Sequence, residues 1–331
     1  MGRIAITGIA SFLGARALRR LAEVRGPEAL LAIDIAAPPA RLAGVRHVLL
    51  DLTLPAADQR LLDVFREEEV DTVLHAAFFT NPRRDSGYAH ELESIGTLNL
   101  VAAAAAAGVR HLVMRSFTAL YGAGGRNPHL LGEQHPVSGA DALGWVRDKR
   151  EAERHALDYA RRYPELRVTI LRFAPLLGPG VHTFYTRILE RRVVSVLMGY
   201  DPLLQLLHPI DAVDALDTAL RKCVAGVFNI VPARAMALLT ALHLADKVVV
   251  PVPHPMAYAL ANLAWAAGLG EAPAGFVDYA RYPFLADGER ARRDLGFEPR
   301  YDSHQALEAY LRYRFPQGET APDGPVLRRP A

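Results

Sequence analysis

The groups best placed to do chemistry sit where short apolar runs end. Thr7-Gly8 follows the run Ile4-Ala5-Ile6, and Gly14 lies six residues beyond Gly8. A chain that bends tightly at Gly8 and enters a helix near Phe12 aims backbone N–H groups and a positive helix end at one spot, which suits a pyrophosphate. Gly8 makes the bend and Gly14 the close helix–strand contact, while Ser11 stands where a further glycine would admit the phosphates. The Ser11 hydroxyl could bond a phosphate oxygen, or its Cβ could push the ligand away. Asp34 ends the next apolar run, twenty residues after Gly14. A carboxylate there accepts hydrogen bonds from an adenosine ribose and repels a 2′-phosphate, which favours NAD over NADP. Arg41, a little beyond, could soften that preference. Asp51-Leu52 follow the third run, in place to flank the adenine. The plain alternatives are an ordinary strand–helix turn and, for Asp34, a cap or loop charge.

Other titratable groups are scattered. His75 ends the fourth apolar run, near where a nicotinamide would lie, and His208 heads a loop before Asp211. His129, Glu133 and His135 lie between Gly122 and Trp145, in a loop that would cover a site there. Each is better explained as a packing or loop residue, although the group could supply one acid or base. Tyr121 reads as a buried ring. No pair has metal-ligand spacing, so no metal is expected. The single cysteine, Cys223, reads as a small core residue.

The elements that must position these groups alternate. Apolar runs at Ile4–Thr7, Leu30–Asp34, Arg46–Leu50, Thr72–Ala76, His111–Arg115 and Arg167–Arg172 read as strands. Helical patterns at Phe12–Arg25, Ala57–Glu68, Ala89–Ala107 and Leu143–Arg162 separate most of them. The runs are apolar throughout, as in a sheet covered on both faces, so the reading is α/β with a doubly wound parallel Rossmann sheet. After Pro175 the rhythm breaks. Helices are expected at His182–Arg192 and Asp211–Arg221, with isolated strands at Val227–Val231 and Val248–Val252. Residues 1–175 read as the nucleotide-binding domain, 176–313 mainly as a smaller, interleaved substrate-binding lobe, and 314–331 as a flexible tail.

Composition bounds the function. Hydrophobic residues make up 51% and charged ones 22%, so a large core forms; the net charge of +2 argues against a nucleic-acid partner or an acidic membrane surface. One cysteine leaves no internal disulfide and fits a reducing compartment, the cytoplasm. The fold starts at once after Arg3, so no signal peptide is expected. The run Met256–Gly270 is short for a membrane span and reads as a buried or pocket-lining helix.

The joint order of several motifs resembles the extended short-chain dehydrogenases/reductases, in their NAD-dependent epimerase/dehydratase branch. The motifs are Thr7-Gly8-x5-Gly14, Asp34, Asp51-Leu52, Leu74-His75-Ala76-Ala77, Ile95-Gly96-Thr97-x-Asn99-Leu100 and Ser116-x4-Tyr121-Gly122. They continue with Leu171-Arg172-x-x-Pro175, Gly178-Pro179-Gly180, Gln205-Leu-Leu-His208-Pro-Ile-Asp211 and Leu295-Gly296-Phe297-x-Pro299. The resemblance runs from residue 1 to about 313 and implies NAD as cofactor. It implies NAD contacts from Gly8, Ser11, Phe12, Leu13 and Gly14 in the turn, and from Asp34, Asp51 and Leu52 at the adenosine end. His75, Ala76, Ala77, Lys149 and Phe173 complete the set. It also implies a homodimer through the helices Ala89–Ala107 and Leu143–Arg162, where the alanine run Ala102–Ala107 permits close approach.

The same resemblance exposes departures. The family's Tyr-x-x-x-Lys pair lies one helical turn apart, and the lysine lowers the tyrosine pKa so that the phenol exchanges protons. Here Lys149 is kept and the tyrosine is Trp145, whose indole is a donor that does not titrate usefully. The family's Ser or Thr is Phe117, flanked by Ser116 and Thr118, one of which could turn inward. The expected Asn is Glu93. The leading expectation is an NAD-dependent oxidoreductase with a non-standard proton donor. The aromatic residues Phe184, Tyr185, Tyr200, Tyr258, Trp265, Phe276 and Tyr279 point to a small, largely hydrophobic carbonyl or alcohol substrate. The alternatives are a nucleotide-sugar epimerase/dehydratase-like enzyme and a catalytically silent NAD-binding or scaffold protein.

Overall fold

The computed structural model describes residues 2–35, 37, 42, 44–82, 86–138, 143–270 and 272–316. Arg41 and residues 317–331 of the expected tail lie outside the described residues. Seven parallel strands form the central sheet in the order β3-β2-β1-β4-β5-β6-β9. They are β1 (Arg3–Thr7), β2 (Leu30–Asp34), β3 (Arg46–Leu49), β4 (Val70–His75), β5 (His111–Phe117), β6 (Arg167–Phe173) and β9 (Gly226–Ile230). Ile4 pairs with Leu30 on one side and Thr72 on the other. Strand order therefore reverses between β1 and β4, which opens a crevice at their C-terminal ends. The turn after β1 and His75 at the end of β4 border that crevice.

Helices cover both faces because the strands are apolar on both. Leu13, Leu18 and Leu21 of α1 (Phe12–Arg25) join Leu216 and Leu220 of α7 (Pro209–Lys222) in the core on one side. On the other, α2 (Ala57–Glu67), α4 (Gly96–Ala107) and α5 (Gly144–Arg162) bury Leu61, Phe65, Leu100, Val101, Ala152 and Ala156. Ahead of α4, α3 (Ser86–His90) runs into a π-helical turn at Glu91–Ile95, so one helical rod spans 86–107.

The C-terminal part differs from its sequence reading in four places. Residues 227–231 are not an isolated strand: Gly226–Ile230 pairs with β6 from Thr169 to Phe173 and becomes the seventh strand of the main sheet. Val248–Val252 (β11) pairs in parallel with β7 (Val193–Leu197), a strand that the expected helix over 182–192 concealed; that helix is the shorter α6 (Phe184–Glu190). The apolar run at 256–270 forms α9 (His254–Ala266), yet none of its residues is buried, because it packs mainly on the helical turn Ala274–Ala280. A third apolar cluster joins α6, β7, β8 (Leu203–Leu204), β10 (Met236–Ala237), α8 (Leu238–Leu244) and α10 (Ser303–Arg314). Cys223 is half-buried rather than core, since it adopts a left-handed conformation as the C-cap of α7. No helix among the described residues is long and apolar enough to cross a membrane.

Candidate functional site

The turn after β1 is built by sterics. Gly8 has φ +75°, and a Cβ there would lie 2.4 Å from Ala77 N; a Cβ on Gly14 would lie 2.1 Å from Gly8 O. Neither position accepts a side chain. Ser11 engages its hydroxyl within the turn itself. Its hydroxyl donates to Gly8 O at 2.7 Å and accepts from Gly14 N–H at 3.1 Å, capping α1. Phe12 and Leu13 supply the first two residues of that helix, with Leu13 buried and Phe12 beneath the Arg16 guanidinium.

Asp34 lies beside the turn, half-buried. Its Oδ2 accepts from Ala10 N–H at 2.9 Å and its Oδ1 from Ile35 N–H. Asp51 accepts from the amide and hydroxyl of Thr53, and the Leu52 carbonyl accepts from Asn99. Ala76 and Ala77 back the turn through their main chain. His75 is wholly buried: Nδ1 meets Thr7 Oγ1 at 2.7 Å and Nε2 meets Thr97 Oγ1 at 2.9 Å. Burial pushes its imidazole down to about 3, so it stays neutral and ties β1 to α4. Phe173, at the end of β6, is buried in the apolar core.

At the end of β5 several side chains assemble into one cluster. Trp145 and Phe117 pack edge to face with ring centroids 5.5 Å apart. The Trp145 indole N–H donates to Phe79 O at 3.3 Å. Lys149 Nζ lies 4.1 Å from the Trp145 ring centroid and 4.9 Å from that of Phe117, within cation–π reach of both. Its ammonium points at Glu93, 2.8 Å from Oε1 and 2.7 Å from Oε2. Glu93 is carried inward on the π-helical turn and also accepts the Phe79 amide at 2.7 Å. The two side chains are 1% and 0% exposed. Burial pushes Lys149 down, to about 8, and Glu93 up; their mutual attraction opposes both shifts.

Arg115 completes the group, and sequence reading missed it. It is fully buried in a strand covered on both faces, donates to Thr80 Oγ1 at 2.8 Å, and stacks over Phe117 at 4.7 Å. The signal was available: a charged residue between Met114 and Ser116 in a run buried on both faces must find partners inside. Ser116 and Thr118 are also buried, and neither hydroxyl has a hydrogen-bond partner among the described residues.

The remaining titratable groups lie elsewhere. Tyr121 is buried as expected, donating to Asn229 and accepting from Arg172 at 3.0 Å; Arg172 in turn grips Glu153. Glu133 accepts from Asn229 N–H, and the His135 ring lies against Tyr121. His208 caps α7 and stacks on Tyr301 at 4.0 Å, with burial and Arg16 pushing its imidazole down to about 4.

Two further features belong to the C-terminal part. A row of rings runs from Trp145 to Phe276 (5.7 Å), and from Phe276 to Phe184 (6.2 Å) and Tyr279 (5.5 Å). A cavity of about 440 Å³ is bordered by His129, Leu130, Tyr200, Leu203 and Arg281. Arg281 there donates to the Tyr200 hydroxyl at 3.0 Å and lies over the Tyr200 and Tyr282 rings.

Comparison with known proteins agrees with this geometry. The model of the NAD dependent epimerase/dehydratase family matches residues 4–231. The uncharacterized protein Rv0501 of Mycobacterium tuberculosis (strain H37Rv) is 32% identical over 318 residues, covering 94% of this chain and 84% of the relative. The protein Mb0513 of Mycobacterium bovis matches to the same extent. Among solved structures, MoeE5 in complex with UDP-glucuronic acid and NAD superimposes with a TM-score of 0.75 at 22% identity, covering 95% of this chain and 99% of that one. The UDP-glucose 4-epimerase of Thermus thermophilus, in complex with NAD, gives 0.72 at 20%, covering 94% and 98%. The chain belongs to the NAD-dependent epimerase/dehydratase family.

Proposed function

We propose that the protein binds NAD along the turn after β1 and a nucleotide sugar across the crevice, as an epimerase/dehydratase-like protein in which position 145 transfers no proton. The observation that carries the dinucleotide half is the turn itself. Gly8 and Gly14 let the backbone close up at the head of a fourteen-residue helix, whose N-terminal amides favour a pyrophosphate. Asp34, half-exposed at the rim of the turn, supports recognition of the adenosine ribose, with Asp51 and Leu52 flanking the base. The family's relation to nucleotide-sugar epimerases and the Tyr200–Arg281 wall of the cavity, a ring and a guanidinium, support the second ligand.

The nicotinamide, when bound, accepts or supplies hydride. Around it this chain's own groups are arranged for packing more than for proton transfer. Trp145 presents an indole face, Phe117 a phenyl face, and Lys149 is turned into Glu93 rather than toward a ribose. Ser116 on β5 and Thr118 just past its end carry hydroxyls without a partner among the described residues. Homodimerisation through the 86–107 rod and α5, and residence in the cytoplasm, belong to the same proposal.

A second reading, an oxidoreductase acting on a small hydrophobic carbonyl or alcohol, rests on the ring row Trp145–Phe276–Phe184. One experiment separates the readings. Tag-free protein is assayed for bound dinucleotide after denaturation, then for melting shifts and turnover with UDP-sugars and with apolar ketones plus NADH. The first reading expects bound NAD, a raised Tm with UDP-sugars, and turnover weaker than phenol-bearing relatives by about 10²–10⁴-fold, the worth of general acid–base catalysis. Turnover of apolar ketones alone would favour the second, and absence of any dinucleotide would remove both.

A further inference from the structure

Outside the crevice, α3 and α5 meet through a second polar cluster that neither the fold nor the proposed chemistry uses. His90 closes α3, and Asp148 and Glu151 stand three residues apart on the facing side of α5. His90 Nδ1 lies 2.9 Å from Asp148 Oδ1 and 3.8 Å from Glu151 Oε2, and one donor atom from each of the three falls within 4.8 Å of the others. Nitrogen and oxygen donors held about 2.0–2.2 Å from a tetrahedral zinc lie roughly 3.3–3.6 Å from one another, so the observed spacings bracket that geometry.

The surroundings favour an ion over a simple ion pair. A His90–Asp148 pair needs one carboxylate, yet Glu151 is aimed at the same nitrogen without hydrogen-bonding to it. Ser94 holds it there, donating to Glu151 Oε2 at 3.0 Å with its hydroxyl 3.4 Å from His155 Nε2. Such outer-shell partners are what orient metal-binding carboxylates. Asp148 and Glu151 bring two carboxylates to one imidazole, and Arg147, whose Nε lies 3.7 Å from Asp148 Oδ1, offsets one of them from the solvent side. Asp148 is 3% exposed, while His90 is 40% exposed, leaving a solvent side where water can fill a fourth position.

We propose that His90, Asp148 and Glu151 form a binding site for a divalent transition cation of the zinc class, with Ser94 and His155 as its outer shell. An imidazole in the set selects against calcium and magnesium, which prefer all-oxygen cages. The ion would clamp the same two helical segments that Glu93 and Lys149 join. The cluster adjoins that pair, Asp148 preceding Lys149 in α5, but takes none of its groups as a ligand.

The test uses the full chain without a histidine tag, stripped with EDTA and titrated calorimetrically with zinc chloride, with cobalt(II) chloride as a visible-band reporter. Wild type is expected to take up one equivalent per chain, and cobalt to give the intense bands of a four-coordinate site. His90→Ala and Glu151→Gln each lower the affinity roughly tenfold or more, and Ser94→Ala by about 10–100-fold, the usual cost of an outer-shell loss. Circular dichroism of the metal-free variants checks that each is folded, and Ser94→Ala, which keeps all three ligands, guards against a folding artefact. The absence of saturable binding, affinity unchanged in the His90→Ala/Glu151→Gln double variant, or calcium binding as tight as zinc would each overturn the proposal.

Discussion

Lys149 and Glu93 face each other across α5 and the π-helical turn, with Nζ 2.7 Å from Oε2 and both side chains sealed from solvent. The ammonium is thus directed into the protein rather than toward the crevice, and the rings of Trp145 and Phe117 close over it. On the proposed reading, in which Lys149 stands where the family has its catalytic lysine, this pairing leaves it no free charge to offer a cofactor.

The first prediction concerns this pair. Removing one member leaves a buried charge without its counter-ion, which costs about 3–5 kcal/mol. Glu93→Ala should destabilise by that order in urea unfolding. Lys149→Met combined with Glu93→Leu should recover most of the loss, because two packed apolar side chains need no partner. A Glu93→Ala variant as stable as wild type would mean that the ammonium finds water or another acceptor.

Restoring the phenol alone should do little. In Trp145→Tyr the lysine remains on Glu93, so the tyrosine pKa has no nearby free cation to lower it. The triple variant Trp145→Tyr, Glu93→Asn, Phe117→Ser releases Lys149 and returns the hydroxyl. UDP-sugar turnover followed by proton NMR should rise in the triple variant and stay near the wild-type level in the single one, the difference approaching about 10²-fold. Equal gains in both would show that Glu93 does not hold the lysine during turnover.

Acid should unfold the protein through its buried histidines. Burial lowers His75 to about 3 and His111 to about 4, below the ordinary value of 6.5. Above about pH 6.5 both states carry neutral rings and the histidines contribute no pH dependence. As pH falls below 6.5 the unfolded chain takes up protons that the folded one refuses, until the folded values are reached. Stability should therefore drop between pH 6.5 and 4 by up to about 1.4 kcal/mol per pH unit per histidine. Denaturant titrations of wild type and His111→Gln across that range should differ in slope, the variant being shallower.

The turn makes a graded prediction. Ser11→Ala removes the cap of α1 at a cost of about 1 kcal/mol, whereas Ser11→Gly, which returns the family's residue, costs only a few tenths. Gly14→Ala places a methyl 2.1 Å from a carbonyl oxygen and should cost far more than either, together with the loss of NAD binding. Melting curves and dinucleotide titrations on the three variants check the ranking.

The parallel sheet was legible in the sequence because its strands are short, apolar on both faces and ended by glycine or a polar residue. Leu30–Asp34 and Phe12–Arg25 begin and end where the pattern places them. Reading failed where pairing partners are distant. Gly226–Ile230 joins β6 fifty-odd residues back, and Val193–Leu197 becomes a strand only because Val248–Val252 lies beside it. The apolar run at 256–270 looked like core, but hydrophobicity carries no information about whether a neighbour arrives to cover it.

The site divides along the same line. Gly8, Gly14 and Asp34 were readable because their roles are local: a bend, a close contact and a strand end act over a few residues. The indole at 145 and the phenyl at 117 were also visible, being a matter of residue type. What surrounds them was not, since an ion pair between residues 93 and 149, or a buried guanidinium at 115, depends on which side of a helix faces which strand. Sequence alone determined the frame, the glycine turn after β1 and the aromatic residue types at 117 and 145. Only the tertiary structure decided that Lys149 is held by Glu93 beneath two aromatic rings, because burial and charge pairing are properties of surfaces that meet after the chain has folded.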